Sequence, residues 1–172
     1  MKRRPTPFVA VLTLMLLAAC GQPGSDTAAK PVEIGSGTAF ALDGMLLADY
    51  PGPKAQIHYA GQAEPDFFCD TVEMFSIYLN PEQIRPVRAL FVLDMAKAQW
   101  EEPHGHWIDA KSAYFVHGST RRGAVGPTLA SFALEADAVK FAGAFGGRVA
   151  RFTDITQDMV ILHGGALHDR PM

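Results

Sequence analysis

The stretch at residues 67–75 is the feature that most restricts how this 172-residue chain can fold. A short apolar run ending at Cys69 leads directly into residues 70–79, where apolar side chains recur at helical spacing. Asp70 precedes Glu73 by three residues, which is the spacing of a capping pair at a helix N-terminus. We therefore predict a short strand, then Cys69, then a helix over residues 70–79.

The predicted position of Cys69 at the start of a helix has a chemical consequence. Unpaired backbone N–H groups and the positive end of the helix dipole favour a thiolate there. Such a thiolate can act as a nucleophile or bind a soft metal ion. The other cysteine, Cys20, lies in the N-terminal segment, and if it is consumed there Cys69 has no partner for an intramolecular disulfide. An inert thiol, a reactive thiol and a metal ligand are all still open at this point.

The N-terminus has the features of an export signal. Positive charges at residues 1–4 precede an apolar stretch at residues 8–17 that is too short to span a bilayer comfortably. The Leu-Ala-Ala-Cys sequence ending at Cys20 resembles the processing box of bacterial lipoproteins, in which the cysteine becomes the first residue and carries the lipid. This resemblance implies a signal peptide at residues 1–19. Because glycine rather than aspartate follows the cysteine, it also implies an outer-membrane anchor facing the periplasm; the alternative is a plain secretory peptide.

The pattern of the rest of the chain predicts an α+β protein. Net charge is −3 and the pI is near 6, so no basic surface for nucleic acid is expected. Residues 20–37 are rich in Gly, Pro, Ser and Ala and predict a flexible tether. Two related modules are expected to follow, at residues 38–105 and 106–163, before a tail at residues 164–172. Each would be a ββα(β) unit, with a short, mostly antiparallel sheet and one helix.

The evidence for two modules is a repeated order of strand, strand, helix and strand, with helix starts 64 residues apart. In the second copy Ala133 replaces Cys69, so only the first copy is expected to carry chemistry. The predicted strands are residues 55–59, 67–69, 89–93, 107–109, 113–116, 128–133 and 148–152, after a strand and turn within residues 40–47; the predicted helices are 70–79, 134–145 and a short one at 153–162.

The soft donors that could accompany Cys69 are methionines. Copper(I) prefers thiolate and thioether sulfur in low coordination numbers. Met45 and Met95 lie in polar contexts at the ends of predicted strands, where sites often assemble. The other methionines of the mature chain are expected in the core or at the loose C-terminus: Met74, Met159 and Met172.

The histidines and acids give weaker signals. His104 and His106 could form a secondary metal site in a loop, whereas His58 and His117 are expected to be structural, with His117 the better candidate ligand. No Ser-His-Asp arrangement, phosphate-binding loop or haem motif is readable. A cysteine nucleophile needs a basic partner, and the sequence nominates none.

Several short motifs, in order, resemble the NosL family of copper-binding accessory lipoproteins over residues 42–155. The motifs are Asp43-Gly-Met45, Tyr50-Pro-Gly-Pro-Lys54, Phe67-Phe-Cys69, Leu93-Asp-Met95, Trp107-Ile-Asp-Ala110 and Gly126-Pro-Thr-Leu-Ala-Ser-Phe-Ala133. The resemblance implies two related ββα-type modules, which agrees with the repeat. It also implies a protein that is not an enzyme. Such a protein binds one copper(I) and hands it to the copper-sulfide centre of nitrous oxide reductase.

The resemblance also implies partners and ligands. The expected partners are the reductase and its membrane maturation complex, with a NosD-like periplasmic protein and an ABC-type transporter. The implied ligands are Cys69 and Met95, with Met45 third and Asp43 or His117 completing the sphere. Many family members have cysteine where this chain has Asp43. Two alternatives are an adaptor lipoprotein that binds no metal and a thiol enzyme; organomercury lyase chemistry is set aside because it needs two cysteines.

Overall fold

The computed structural model describes residues 28–41 and 43–162. The predicted signal peptide, Cys20 and the tail at residues 164–172 lie outside the described residues. Within the two ranges, no helix is both long and apolar enough to cross a membrane.

The first sheet is antiparallel and has the strand order β2-β1-β3-β4. A helix, α1, connects the edge strand β2 to β3. The elements are β1 (Ala55–Tyr59), β2 (Asp66–Phe68), α1 (Thr71–Tyr78), β3 (Val87–Leu93) and β4 (Trp107–Asp109).

The second sheet is also antiparallel and has the order β8-β5-β9. Its helix, α2, again follows the edge strand, and a small hairpin of β6 and β7 is inserted before it. The elements are β5 (Tyr114–His117), β6 (Arg122–Gly123), β7 (Gly126–Pro127), β8 (Ala130–Phe132), α2 (Glu135–Phe145) and β9 (Arg148–Arg151).

The two units share one topology, because β2-β1-β3 and β8-β5-β9 have the same order and each helix leaves the same edge strand. The helices begin 64 residues apart, at Thr71 and Glu135. The predicted α+β fold with paired ββα units is therefore confirmed. Trp107–Asp109, which falls in the second predicted module, pairs with β3 of the first sheet.

The start of α1 follows the predicted capping pattern. The Asp70 carboxylate accepts a hydrogen bond from the Val72 N–H at 3.0 Å, and the Glu73 carboxylate accepts one from the Asp70 N–H at 3.0 Å. These two bonds satisfy backbone donors that a helix start otherwise leaves free. Helix α2 has no side-chain cap at Leu134 and ends, as predicted, at Gly146, which has a φ of +74°.

Two segments form less regular structure than predicted. Residues 40–41 and 43–47, the described part of this range, do not make a strand; the region has one isolated bridge, between Ala39 and Leu46, before a 3₁₀ turn at Leu47–Asp49. The helix expected at 153–162 is two 3₁₀ turns, Phe152–Asp154 and Gln157–Val160. In these turns short polar side chains bond nearby groups: Asp154 accepts from the Arg151 N–H and Asp158 from the Thr156 hydroxyl. Such local bonds compete with a continuous helix.

Part of the predicted tether is held on the first module. The Gln56 side chain pairs with both backbone groups of Val32, at 2.9 and 3.0 Å, and is itself buried. The Glu33 carboxylate accepts a hydrogen bond from the Gly105 N–H at 2.9 Å, and Ile34 packs against the core. Residues 32–34 therefore belong to the folded domain.

The start of α1 is joined directly to the second module. The Thr128 hydroxyl donates to the Asp70 carboxylate at 2.7 Å, and the Thr71 hydroxyl donates to the Leu129 carbonyl at 2.7 Å. All of these side chains are buried. The other Asp70 oxygen, Oδ2, faces Gly123 so closely that a Cβ there would lie 2.0 Å away. The hairpin β6–β7 can approach Asp70 only because this residue is glycine.

We predict that Gly123→Ala lowers the free energy of unfolding by about 2 kcal/mol or more, because the added methyl overlaps the Asp70 carboxylate. Gly143→Ala is the matched control. Gly143 lies in α2, is exposed, and has nothing within 4 Å of an added Cβ. That change should stabilise the protein by about 0.5–1 kcal/mol. Urea unfolding followed by circular dichroism measures both, and equal stabilities would contradict the close approach.

Candidate metal centre

Cys69 lies at the junction of β2 and α1, as predicted, and its side chain is completely buried. It belongs to the larger hydrophobic cluster, which also contains Phe68 and Phe75. Among the described residues it is the only cysteine, and its thiol is free. The site is therefore a lone thiol in an apolar pocket.

A buried lysine lies directly behind this thiol. The Lys54 ammonium donates hydrogen bonds to the Cys69 carbonyl at 2.9 Å and to the Pro51 carbonyl at 3.1 Å. Burial lowers the pKa of Lys54 to about 8, although the charges of Cys69, Asp70 and Glu73 oppose the shift. The two hydrogen bonds hold the backbone at Cys69 in place. The lowered pKa brings the loss of the Lys54 charge close to neutral pH.

Two buried acids complete the surroundings of Cys69. Burial raises the pKa of Asp70 to about 6, despite hydrogen bonds from the Val72 N–H and Thr128 that stabilise the carboxylate. Burial and the Asp70 charge raise the pKa of Glu73 to about 7. Both groups therefore titrate well above the range of exposed carboxylates.

The thiol itself is strongly held in its protonated form. Burial is the main cause that raises the pKa of Cys69 to about 12, followed by the charge of Glu73, while Lys54 acts in the opposite direction. The expectation that the helix start favours a thiolate is therefore wrong. Helix donors are already satisfied by Asp70 and Glu73, and the same carboxylates repel a second negative charge.

The loop that contains Asp43 and Met45 acts electrostatically on this thiol and packs on its cluster. The Asp43 charge contributes to the raised pKa of both Cys69 and Glu73. Its carboxylate accepts a hydrogen bond from the Met45 N–H at 2.9 Å, and Met45 packs against the cluster that contains Cys69. Met45 therefore packs on the same cluster as Cys69 and the Asp43 charge acts on its thiol, while their role as ligands stays a prediction.

Met95 occupies a different environment. The C-terminal ends of β2 and β3 lie at the same end of the first sheet, because Phe68 and Val92 both pair with Ala55. Beyond β3 the chain turns toward the second module, where the Met95 N–H donates to the Ser131 carbonyl. Its nearly buried side chain packs in the smaller hydrophobic cluster, whereas Cys69 is in the larger one. Met95 as a ligand therefore remains a prediction.

His117 is at the end of β5, where it lines a groove with Met159. His58 contacts Gln56 and the ring of Phe91 within the first sheet. The remaining sequence candidates occupy ordinary positions: His104 and His106 are exposed, and Met74 is in the core. Within residues 28–41 and 43–162, no three His, Cys, Asp or Glu side chains are placed to hold a metal ion together.

The sequence reasoning missed the roles of Lys54 and Thr128. Lys54 closes the Tyr50-Pro-Gly-Pro-Lys54 motif, and a lysine placed directly before a buried strand was the available signal. Thr128 gave no local signal, because its partner Asp70 is 58 residues away.

Together these features define a small two-module α+β protein whose single described thiol is buried in the larger hydrophobic cluster and has a raised pKa. The sequence model of the NosL family matches residues 31–160 of this chain. The chain belongs to the NosL family.

Individual relatives agree over nearly the whole chain. The copper-binding lipoprotein NosL of Stutzerimonas stutzeri is 40% identical over 94% of this chain and 87% of its own length. The protein of the same name from Achromobacter cycloclastes is 36% identical over 94% and 85%. The crystal structure of the copper chaperone NosL from Shewanella denitrificans has a TM-score of 0.72 and 37% identity, over 75% of this chain and 97% of that one.

We predict that Cys69 in the native protein reacts with iodoacetamide at pH 7.5 on the order of a thousandfold more slowly than an unhindered cysteine, because burial raises the pKa of its thiol to about 12. Peptide mapping by mass spectrometry measures the reaction at this position alone. Unfolding in guanidinium chloride is the control and should restore ordinary reactivity. Rapid alkylation of the native protein would support a thiol enzyme instead.

We also predict that stability decreases as pH rises from about 4.5 to about 7. In this window the folded protein holds a proton on Glu73, whose pKa is raised to about 7, whereas the unfolded chain has released it. Glu73→Gln should flatten this part of the curve, and Gln at the exposed Glu135 is the control that should not. Urea unfolding at several pH values measures the slope; an unchanged slope in Glu73→Gln contradicts the assignment.

Proposed function

We propose that this protein is a copper chaperone that carries one copper(I) ion at Cys69. The observation that carries the proposal is a buried, unpaired thiol beside the Asp43–Met45 loop, in a chain of the NosL family. Relatives in that family are described as copper-binding lipoproteins and as a copper chaperone. Sulfur donors in small number suit copper(I), which accepts low coordination numbers.

The charge balance at Cys69 supports a monovalent ion. Binding requires loss of the thiol proton, which is held tightly because the pKa is about 12. When one copper(I) replaces one proton, the net charge of the buried pocket is unchanged. A soft ion with high affinity for thiolate can compete with the proton, whereas an electrophile that needs a free thiolate cannot.

For the ligand set we propose Cys69 and Met95 with Met45 as third donor, and Asp43 or His117 as completing groups. Met45 and Asp43 are supported by their position beside Cys69. Met95 is supported by the position of the C-terminal ends of β2 and β3 at the same end of the first sheet, and would have to leave its apolar cluster to bind.

We propose that the protein carries copper rather than catalysing a reaction, and the lipoprotein names of its relatives support a place in the cell envelope. We propose that Cys20 is the lipidated residue and anchors the protein in the cell envelope, on the periplasmic side and in the outer membrane. The recipient would be nitrous oxide reductase, for assembly of its copper-sulfide centre. Docking would involve the membrane maturation complex, with a NosD-like periplasmic protein and an ABC-type transporter.

A copper(I) titration of the mature chain with Cys20→Ser tests the site. We expect one equivalent to bind under reducing conditions, in competition with a chromogenic copper(I) chelator. Cys69→Ser should lower the affinity at least a hundredfold, because it removes the only thiolate. Circular dichroism checks that the variant is folded.

Met45→Leu and Met95→Leu, measured separately, test the thioethers. Leucine keeps the volume and removes the sulfur, so each true ligand should cost about tenfold or more in affinity. Undiminished affinity in Cys69→Ser would remove Cys69 from the site, and no stoichiometric binding at all would favour a metal-free adaptor.

A further inference from the structure

Two surface depressions lie between the end of β5 and the 3₁₀ turn at Gln157–Val160, and both are lined by His117 and Met159; together they are called the groove. Both side chains are partly exposed, so their donor atoms can reach solvent. Met159 is fixed in the turn by a hydrogen bond from its N–H to the Thr156 carbonyl at 3.1 Å. His117 and Met159 thus line the same groove from separate elements, the end of β5 and the 3₁₀ turn.

The donor types restrict which metal ion fits. Zinc takes four ligands from cysteine, histidine and carboxylates in structural sites. In the described part of the chain no three such side chains are grouped, so the aspartates near His117 do not build a zinc site with it. Copper(I) accepts thioether and imidazole donors at low coordination number. One histidine with one methionine is therefore a donor set for copper(I) and not for zinc.

The charges around the groove also favour a cation. The exposed carboxylates of Asp154 and Asp158 line it on either side, and one positive residue, Arg148, lies at one end. Two negative charges against one positive leave a small net attraction for a positive ion. The attraction is weak because all three groups are in contact with water.

We propose that His117 and Met159 form a second, weaker copper(I) site. The choice of metal rests on the proposed function, and assigning His117 to this second site leaves Asp43 as the completing group at Cys69. Val72 in the first turn of α1 and Pro127 of β7 line the same groove. The groove therefore adjoins the first turn of α1, the helix that begins directly after Cys69 and Asp70.

The mature chain with both Cys20 and Cys69 replaced by serine isolates this site. The probe is Ag(I), which is isoelectronic in valence shell with copper(I) and does not oxidise in air, followed by NMR of methionine methyl and histidine ring signals at pH 7.5. We expect about one equivalent to bind in the micromolar range, with the largest shifts at Met159 and His117. Absence of binding, or shifts elsewhere only, would overturn the proposal.

Single variants in this background identify the ligands. Met159→Leu and His117→Gln should each weaken Ag(I) binding at least tenfold, and Zn(II) should bind at least tenfold more weakly than Ag(I). His104→Gln tests the exposed loop, and a loss there without a loss in His117→Gln would place the ion elsewhere. Because Cys69 is absent throughout, failure here leaves the Cys69 titration untouched, and the reverse also holds.

Discussion

The buried carboxylate of Asp70 is the group on which the arrangement around Cys69 depends. It caps α1 through the Val72 N–H, and it accepts the Thr128 hydroxyl from the second module. Its remaining oxygen faces the backbone of Gly123 and has no hydrogen-bond partner among the described residues. Burying a carboxylate with one unpaired oxygen costs folding free energy. Asp70 is held in this buried position because both modules enclose its side chain. The position of Cys69, one residue earlier, is thereby set by the junction of the two modules.

Burial displaces the pKa of Lys54, Asp70, Glu73 and the Cys69 thiol toward the neutral form of each group. The pKa of Lys54 falls to about 8, that of Glu73 rises to about 7 and that of the thiol to about 12. In this pocket Asp70 and Glu73 can hold protons and Lys54 can release one. The net charge of the pocket can therefore change when an ion enters. This is a different solution from a pre-formed thiolate, whose charge would have to be balanced permanently inside an apolar cluster.

The sequence predicted those features that are encoded locally. The cap of α1 rests on residues three apart, and its agreement with the structure reflects that proximity. The repeat was readable because the helices and their flanking strands recur in the same order. What the sequence did not show was non-local: the thiol pKa is raised by the burial of Cys69 and then by the charge of Glu73, and the Met95 N–H bonds Ser131 of the other module. Periodicity within a segment carries no information on such contacts.

The two modules share a topology but have different roles at the Cys69 site. At the position of Asp70 the second module has Leu134, which provides no side-chain cap and is largely exposed. Strand β8 of that module instead supports the first: the Ser131 hydroxyl donates to the Leu93 carbonyl at 2.6 Å, and the Ala133 N–H donates to the Asp94 carboxylate at 3.2 Å. One copy of the fold carries the thiol, and the other holds in place the strand end beside it. A single module would leave the Leu93 carbonyl without the Ser131 hydroxyl and Asp94 without the Ala133 N–H, so both copies support the strand end beside the buried site.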